Sequence, residues 1–237
     1  MWITQSSNLI SKFLSPAVQL WLRSQVDQVE TLQIKIQGSD RQILGGYLPG
    51  VLLNSDRAIY QGLHLGQVQL TGENIRINIG QVLKGKPLQL LEAIRISGEI
   101  HLSATDLQAS LPSALLADGF KELLISLLEH QQVSDPVQQL NAYEITWHSA
   151  SLAESCFILQ GVLTHDQVTS DLKIQANLEL ISPQLLKLSS VTIEGMPECD
   201  KYCLEELQVD LGSDVAINTF KVEADKIVCQ GELLIRP

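Results

Sequence analysis

The sequence predicts an α+β fold: one long, curved, mostly antiparallel β-sheet with two amphipathic helical segments on its apolar face. Two observations predict it. The apolar period switches from three and four residues to two, and back again. Strand-like stretches also come in runs, not singly between helices, which excludes a βαβ repeat. The order is helical over 1–30, strands over 31–104, helical over 105–131 and strands over 140–237, read as a single domain over 1–237.

The first helical region is marked by Leu9, Ile10, Phe13, Leu14, Ala17, Val18, Trp21, Leu22 and Val26 at helical spacing. Ser15-Pro16 divides it, since serine caps a helix and proline suits its first turn. A short helix near 5–14 and a firmer one near 16–29 follow. Leu32, Ile34 and Ile36 then alternate with polar residues. Val68–Leu70 and Ile75–Ile79 read as strands flanking a turn at Thr71–Asn74. Ile94, Ile96, Ile100 and Leu102 form the apolar side of another strand. Such alternation buries one face, as in antiparallel sheets. Gly45, Gly46, Gly50, Gly62, Gly66 and Gly98 predict bulges or bends.

In the second helical region, Thr105 or Asp106 caps a short helix and Ser113 caps a longer one to about His130. Leu115, Leu116, Phe120, Leu123, Leu124, Leu127 and Leu128 line its apolar side. Gln131–Gln139, with Asp135-Pro136, reads as a linker. Strands are expected at 140–148, 156–163, 172–181, 188–194, 204–211, 215–224 and 226–235.

A chain of 237 residues can bury about 70–75% of its unfolded surface without disulfide or metal staples. Charged residues make up 18% and apolar residues 45%, which excludes a disordered acidic chain. No apolar stretch approaches the ~20 residues of a membrane span, and no signal peptide is evident. Residues 1–100 hold 9 Lys/Arg and 7 Asp/Glu, and the remainder hold 7 and 20. A nucleic-acid partner is therefore not expected, because phosphate binding needs a basic footprint. Any contact with an anionic surface falls to the first half. With 11 aromatics against 40 Leu and 21 Ile, the interior is aliphatic, suiting an ordinary core or an acyl-chain tunnel equally.

Motifs for chemistry fail in turn. Gly80–Pro87 nearly matches the phosphate-binding G-x-x-x-x-G-K-[ST], but Pro87 replaces the magnesium-ligating hydroxyl. Cys156, Cys199, Cys203 and Cys229 lack zinc-site spacing; Cys156 and Cys229 read as small buried hydrophobes. None of the five histidines stands in a metal motif, and no nucleophile elbow exists. Trp147-His148-Ser149 reads as a partly exposed rim and His165-Asp166 as a turn. No catalytic residue, metal site or cofactor is assigned.

A basic cluster remains: Arg76, Lys84, Lys86 and Arg95, with Glu92 the one acid among them. Lys84–Pro87 reads as a flexible positive loop, suited either to lipid phosphate or to solvent.

The stretches LSPAVQLWLRSQV at 14–26, GSDRQIL at 38–44, YLPG at 47–50, YQGLHL at 60–65 and NIRINIGQVLKGKPL at 74–88 resemble the LmeA-like phospholipid-binding family. The resemblance is strongest over 14–130. It implies a non-enzymatic phospholipid-binding protein, similar to tubular lipid-binding folds in which a curved sheet wraps helices around an apolar channel. The head group is then expected at Arg76, Lys84, Lys86 and Arg95. Trp21, Leu22, Leu116, Phe120, Leu124 and Leu127 are expected to line the acyl chain or to form core. The implied partners are phospholipid and a membrane touched peripherally. The family's namesake branch is exported, whereas this sequence points to a cytoplasmic protein or one on the cytoplasmic side of a membrane. The alternative is an assembly partner whose core is filled by its own side chains.

Overall fold

The computed structural model describes residues 15–196 and 199–237. The helix expected at 5–14 lies outside them. In chain order the elements are α1 (Ser15–Gln25), β1 (Gln28–Gln37), α2 (Asp40–Leu44), β2 (Tyr47–Tyr60), β3 (Leu63–Arg76), α3 (Ile79–Val82), β4 (Ile94–Ser103), α4 (Ala104–Ser110) and α5 (Ala114–His130). They continue with α6 (Pro136–Asn141), β5 (Glu144–Ala153), β6 (Cys156–His165), β7 (Val168–Ser182), β8 (Leu185–Met196), β9 (Cys199–Asp210), β10 (Val215–Val222) and β11 (Lys226–Ile235).

The strands are antiparallel but form two sheets, where the sequence predicts one. The first has the order β1-β2-β3-β4-β11-β10 and the second β5-β6-β7-β8-β9. At the seam β10 lies beside β7. Bonds from hairpin turns cross it: the Ser155 N–H donates to the Val222 carbonyl at 3.0 Å, and the Ile217 N–H to the Pro183 carbonyl at 2.6 Å. A ladder does not continue there because bulges bend both strands, between Ile217 and Thr219 in β10 and between Leu180 and Ser182 in β7.

Two separate cores result. The larger joins α4 and α5 to the second sheet, with Leu124, Leu128 and Ile174 wholly buried. The smaller sits at one end of the first sheet, where Val18 of α1 meets Ile43, Leu48, Ile75, Ile77 and Ile94.

Local chemistry sets the helix ends. The Ser113 hydroxyl accepts from the Leu116 N–H at 3.2 Å, capping α5. At α4 the cap is Ser103, not Thr105 or Asp106. Ser103 ends β4 in extended backbone, so its hydroxyl accepts from the Asp106 N–H at 3.1 Å while the Asp106 carboxylate accepts from the Ser103 N–H at 3.0 Å.

Other expectations need correction. Thr71–Asn74 is not a turn; β3 runs through it, with the irregularity taken up by Asn74 at φ 55°. The strand expected over 75–79 ends at Arg76, and Ile79 opens α3. Gln28–Glu30, expected helical, already belong to β1. The linker at 131–139 contains the start of α6, capped by Asp135, whose carboxylate accepts from the Gln138 N–H at 3.1 Å. Trp147 is buried, not on an exposed rim, because Phe120 of α5 meets it edge-on at 5.5 Å. The bulge beside it at His148 is fixed by Gln108 of α4, which donates to the His148 carbonyl and accepts from the Ala150 N–H.

Candidate functional site

Strand pairing turns the alternation in each strand into rows across the first sheet. Ile34 pairs with Leu53, then Leu70, Gly98, Gly231 and Ile217. The next row towards α4 is Leu32, Ser55, Val68, Ile100, Cys229 and Phe220. On the other side lie Ile36, Val51, Gly72, Ile96, Leu233 and Val215. None of these positions carries charge. The intervening row, on the opposite face, is Gln33, Asn54, Gln69, Glu99, Gln230 and Thr219. The sheet thus has one wet face and one continuous apolar face.

Coverage of that apolar face is uneven. One end lies under the smaller core, which takes in Ile34, Ile36, Val51 and Ile96. The other end reaches the larger core through Leu102. Between them, among the described residues, Leu53, Leu70, Ile100, Cys229, Phe220 and Ile217 belong to neither core and each keeps part of its surface accessible, while Ser55 and Val68 in the same rows are buried. Leu233, at the margin, is 45% exposed. In the second sheet the equivalent inner residues Leu159, Ile174 and Ile193 are closed off beneath α5. The same strand pattern therefore gives a filled core in one sheet and a partly covered apolar band in the other.

Glycines shape the floor of the band. Gly98 pairs with Gly231, and a Cβ on Gly98 would stand 2.4 Å from the Leu70 Cδ2. Leu70 can lie across Gly98 for that reason. Burial pushes the Cys229 thiol up from its usual pKa, as an apolar setting demands.

The expected head-group residues differ in their surroundings. Arg76 ends β3, with its guanidinium over the Tyr47 ring at 5.0 Å. Lys84 and Lys86 are exposed in the turn after α3. Arg95 pairs with Glu232 at 3.4 Å. The Lys84–Pro87 segment is hydrogen-bonded on both sides. Gly85, at φ 78°, closes α3 by donating to Val82 while the Lys86 N–H donates to the Gln81 carbonyl at 3.0 Å. Buried Asn78 then clamps the exit, donating to the Pro87 carbonyl at 3.0 Å and accepting from the Gln89 N–H at 2.8 Å. The chain here runs from helix into loop, the reverse of the order that presents N–H groups to phosphate.

Of the expected acyl-lining residues, Leu124 and Leu127 are wholly buried in the larger core, with Leu116 and Phe120 packed against it. Trp21 packs against the smaller core, and the Leu22 side chain lies outside the described ones. The band residues were missed by sequence reasoning. Their signal was the alternation in β1, β4 and β10, but their shared face depends on pairings that a sequence does not display.

A separate polar cleft of about 330 Å³ lies among β1, β2, β3 and α4, lined in part by Glu30, Arg57, His64 and Asp106. Its Arg57 and Glu30 pair with each other at 3.0 Å, and Asp106 is engaged in the α4 cap. Among the described residues no three His, Cys, Asp or Glu side chains gather to hold a metal, and no helix is long and apolar enough to cross a membrane.

A model of the LmeA-like phospholipid-binding family matches residues 6–232. No curated protein and no solved structure matches the chain.

Proposed function

The chain belongs to the LmeA-like phospholipid-binding family, and from that premise we propose that it holds a phospholipid without catalysis, an acyl chain lying along the apolar band of the first sheet. The observation that supports this most is the set of uncharged rows left partly open between the two cores. Six strands at about 4.8 Å spacing give a row of about 24 Å, longer than the ~15 Å of one leaflet's hydrocarbon. Each CH₂ removed from water contributes about 0.8 kcal/mol, so burial alone retains a chain. Head-group contacts fall to Arg76, Lys84 and Lys86 at the end of the sheet, with a smaller share for Arg95 because Glu232 already engages it. The two sheets, joined at the β10–β7 seam, are the halves of a tubular lipid-binding fold. Peripheral docking through the first half, and transfer of the held lipid, follow from this reading. The filled-core alternative fits the second sheet, so lipid is assigned to the first.

Native mass spectrometry of protein purified without detergent tests the reading. A lipid adduct should appear on the unaltered chain and be lost in Leu70→Lys, which puts a charge in the middle of the band. An adduct retained by Leu70→Lys would place the lipid elsewhere. A chain that takes up no lipid from any vesicle would end the proposal in favour of an assembly partner.

A further inference from the structure

Leu44, Leu83 and Leu91 are 51%, 53% and 57% exposed, although each adjoins a segment whose other apolar residues are buried or partly buried. Ile43 precedes Leu44, Ile79 lies one turn before Leu83, and Leu88 lies three residues before Leu91; all three partners belong to the smaller core. An amphipathic pattern accounts for the buried residues and leaves the leucines unexplained.

Backbone bonds bring the three to the same end of the first sheet. α2 packs against α3. The Ile77 N–H donates to the Gly46 carbonyl at 2.9 Å, and the Leu91 N–H to the Arg76 carbonyl at 2.9 Å. Gly46 permits this approach: its φ is 76°, and a Cβ there would stand 2.6 Å from the Ile77 carbonyl oxygen. The Asn78 clamp fixes the segment between Leu83 and Leu91. The leucines are therefore carried on hydrogen-bonded backbone beside a packed core.

The surrounding charge is positive. Residues 76–91 contain Arg76, Lys84 and Lys86 and no acid, and Arg41 stands three residues before Leu44. Against them stand Asp40, one helical turn before Leu44, Glu92, which follows Leu91, and Glu73. The whole chain is −11. Isolated exposed leucines are common, but leucines at one end fringed by basic residues match an interfacial membrane surface. A second copy meeting this end through the same patch would set like charges together.

We propose that this end of the first sheet is a membrane-insertion surface, in which Leu44, Leu83 and Leu91 enter the interface of an anionic bilayer while Arg41, Arg76, Lys84 and Lys86 meet its phosphates. The proposal rests on the phospholipid reading and names where the protein meets its source of lipid. Insertion by leucines adds an apolar contribution that salt does not screen, beside a basic one that it does.

The full chain is sedimented with vesicles of phosphatidylcholine alone and of phosphatidylcholine mixed equally with phosphatidylserine, and held lipid is followed separately by native mass spectrometry. The unaltered chain should favour the mixed vesicles. Leu83→Ser combined with Leu91→Ser should weaken binding about tenfold, with the thermal midpoint unchanged because both side chains are exposed. Lys84→Glu combined with Lys86→Glu should erase the preference for phosphatidylserine. Leu83→Trp should add an emission component that shifts to the blue on mixed vesicles and is quenched by brominated acyl chains. Undiminished binding by the leucine pair, or an unchanged preference in the lysine pair, overturns the proposal. A dimer that forms with concentration and is lost in the leucine pair also overturns it, assigning the surface to a second copy. A lipid adduct without vesicle binding removes the insertion surface and leaves the phospholipid reading intact. Vesicle binding without any adduct does the opposite.

Discussion

Leu124→Ala and Leu70→Ala should separate the filled half of the protein from the open half. Leu124 has 0% exposure, and its neighbours in the core include Leu127, Leu128, Leu159 and Ile174, each at 1% or less. Those walls belong to a helix and to hydrogen-bonded strands, so they collapse little into a void. The transfer and cavity contributions therefore both apply, giving a loss of about 3–5 kcal/mol. With a urea dependence of about 3 kcal/mol per M, the midpoint should fall by about 1 M or more. Leu70 is partly exposed and belongs to neither core, so truncation removes less buried surface and leaves a dent that solvent or lipid fills. Its loss should be about 1 kcal/mol. Trp147, buried in the larger core and edge-on to Phe120, reports the transition by fluorescence. The reasoning is refuted if Leu124→Ala leaves the midpoint unchanged, or if Leu70→Ala costs as much as Leu124→Ala.

Four further outcomes follow from the geometry. Gly195→Ala should destabilise by more than about 2 kcal/mol in the same urea assay, because φ is 91° and the new Cβ would lie 1.7 Å from the Asp171 carbonyl oxygen. Asn78→Ala should cost about 1–3 kcal/mol and speed hydrogen exchange at the Gln89 amide, which loses its acceptor. Hydrogen bonds from His101 and Gln230 hold the Glu99 carboxyl below its ordinary value of 4.5, so its stabilising effect is present above 4.5 and is lost as pH falls through the lower folded-state value. Glu99→Gln should flatten that part of a melting-temperature profile; an unchanged profile would show that the pair contributes nothing. Alkylation of Cys229 should be slower than that of exposed Cys203, and slower again after lipid loading if the band is occupied.

Elements fixed by neighbours in sequence were legible. The Ser113 cap and the leucine stripe of α5 lie within one segment, and the alternation of β1 and β4 is read directly. Elements fixed from a distance were not. β4 pairs with β11 from Ser103–Lys226 to Ile94–Ile235, and without that pairing Ile100 and Cys229 share no visible face. The division into two sheets depends on bulges, which alternation tolerates. Gly72 and Asn74 carry turn chemistry yet sit in a strand, since the Tyr47 hydroxyl donates to the Asn74 side chain at 2.6 Å and the Ile75 side chain lies against Gly72. Lys84–Pro87 has the composition of a loop, and its exit is held by hydrogen bonds from Asn78, a residue with no mark in the sequence.

The bulge in β10 separates shape from surface. Ile217 pairs with Gly231, and Thr219 pairs with Gln230, so Asn218 is the extra residue. Val215 and Ile217 face the apolar side before it, and Phe220 and Val222 after it. Excising Asn218 would restore an even ladder in which Phe220 still opposes Cys229 and Val222 still opposes Ile227. The strand would lose its bend while its lining stayed the same. Curvature at this seam is thus encoded by a residue count, and the apolar lining by residue type. A lineage can reshape this sheet by one-residue insertions and deletions at this position without rewriting the residues on its apolar face.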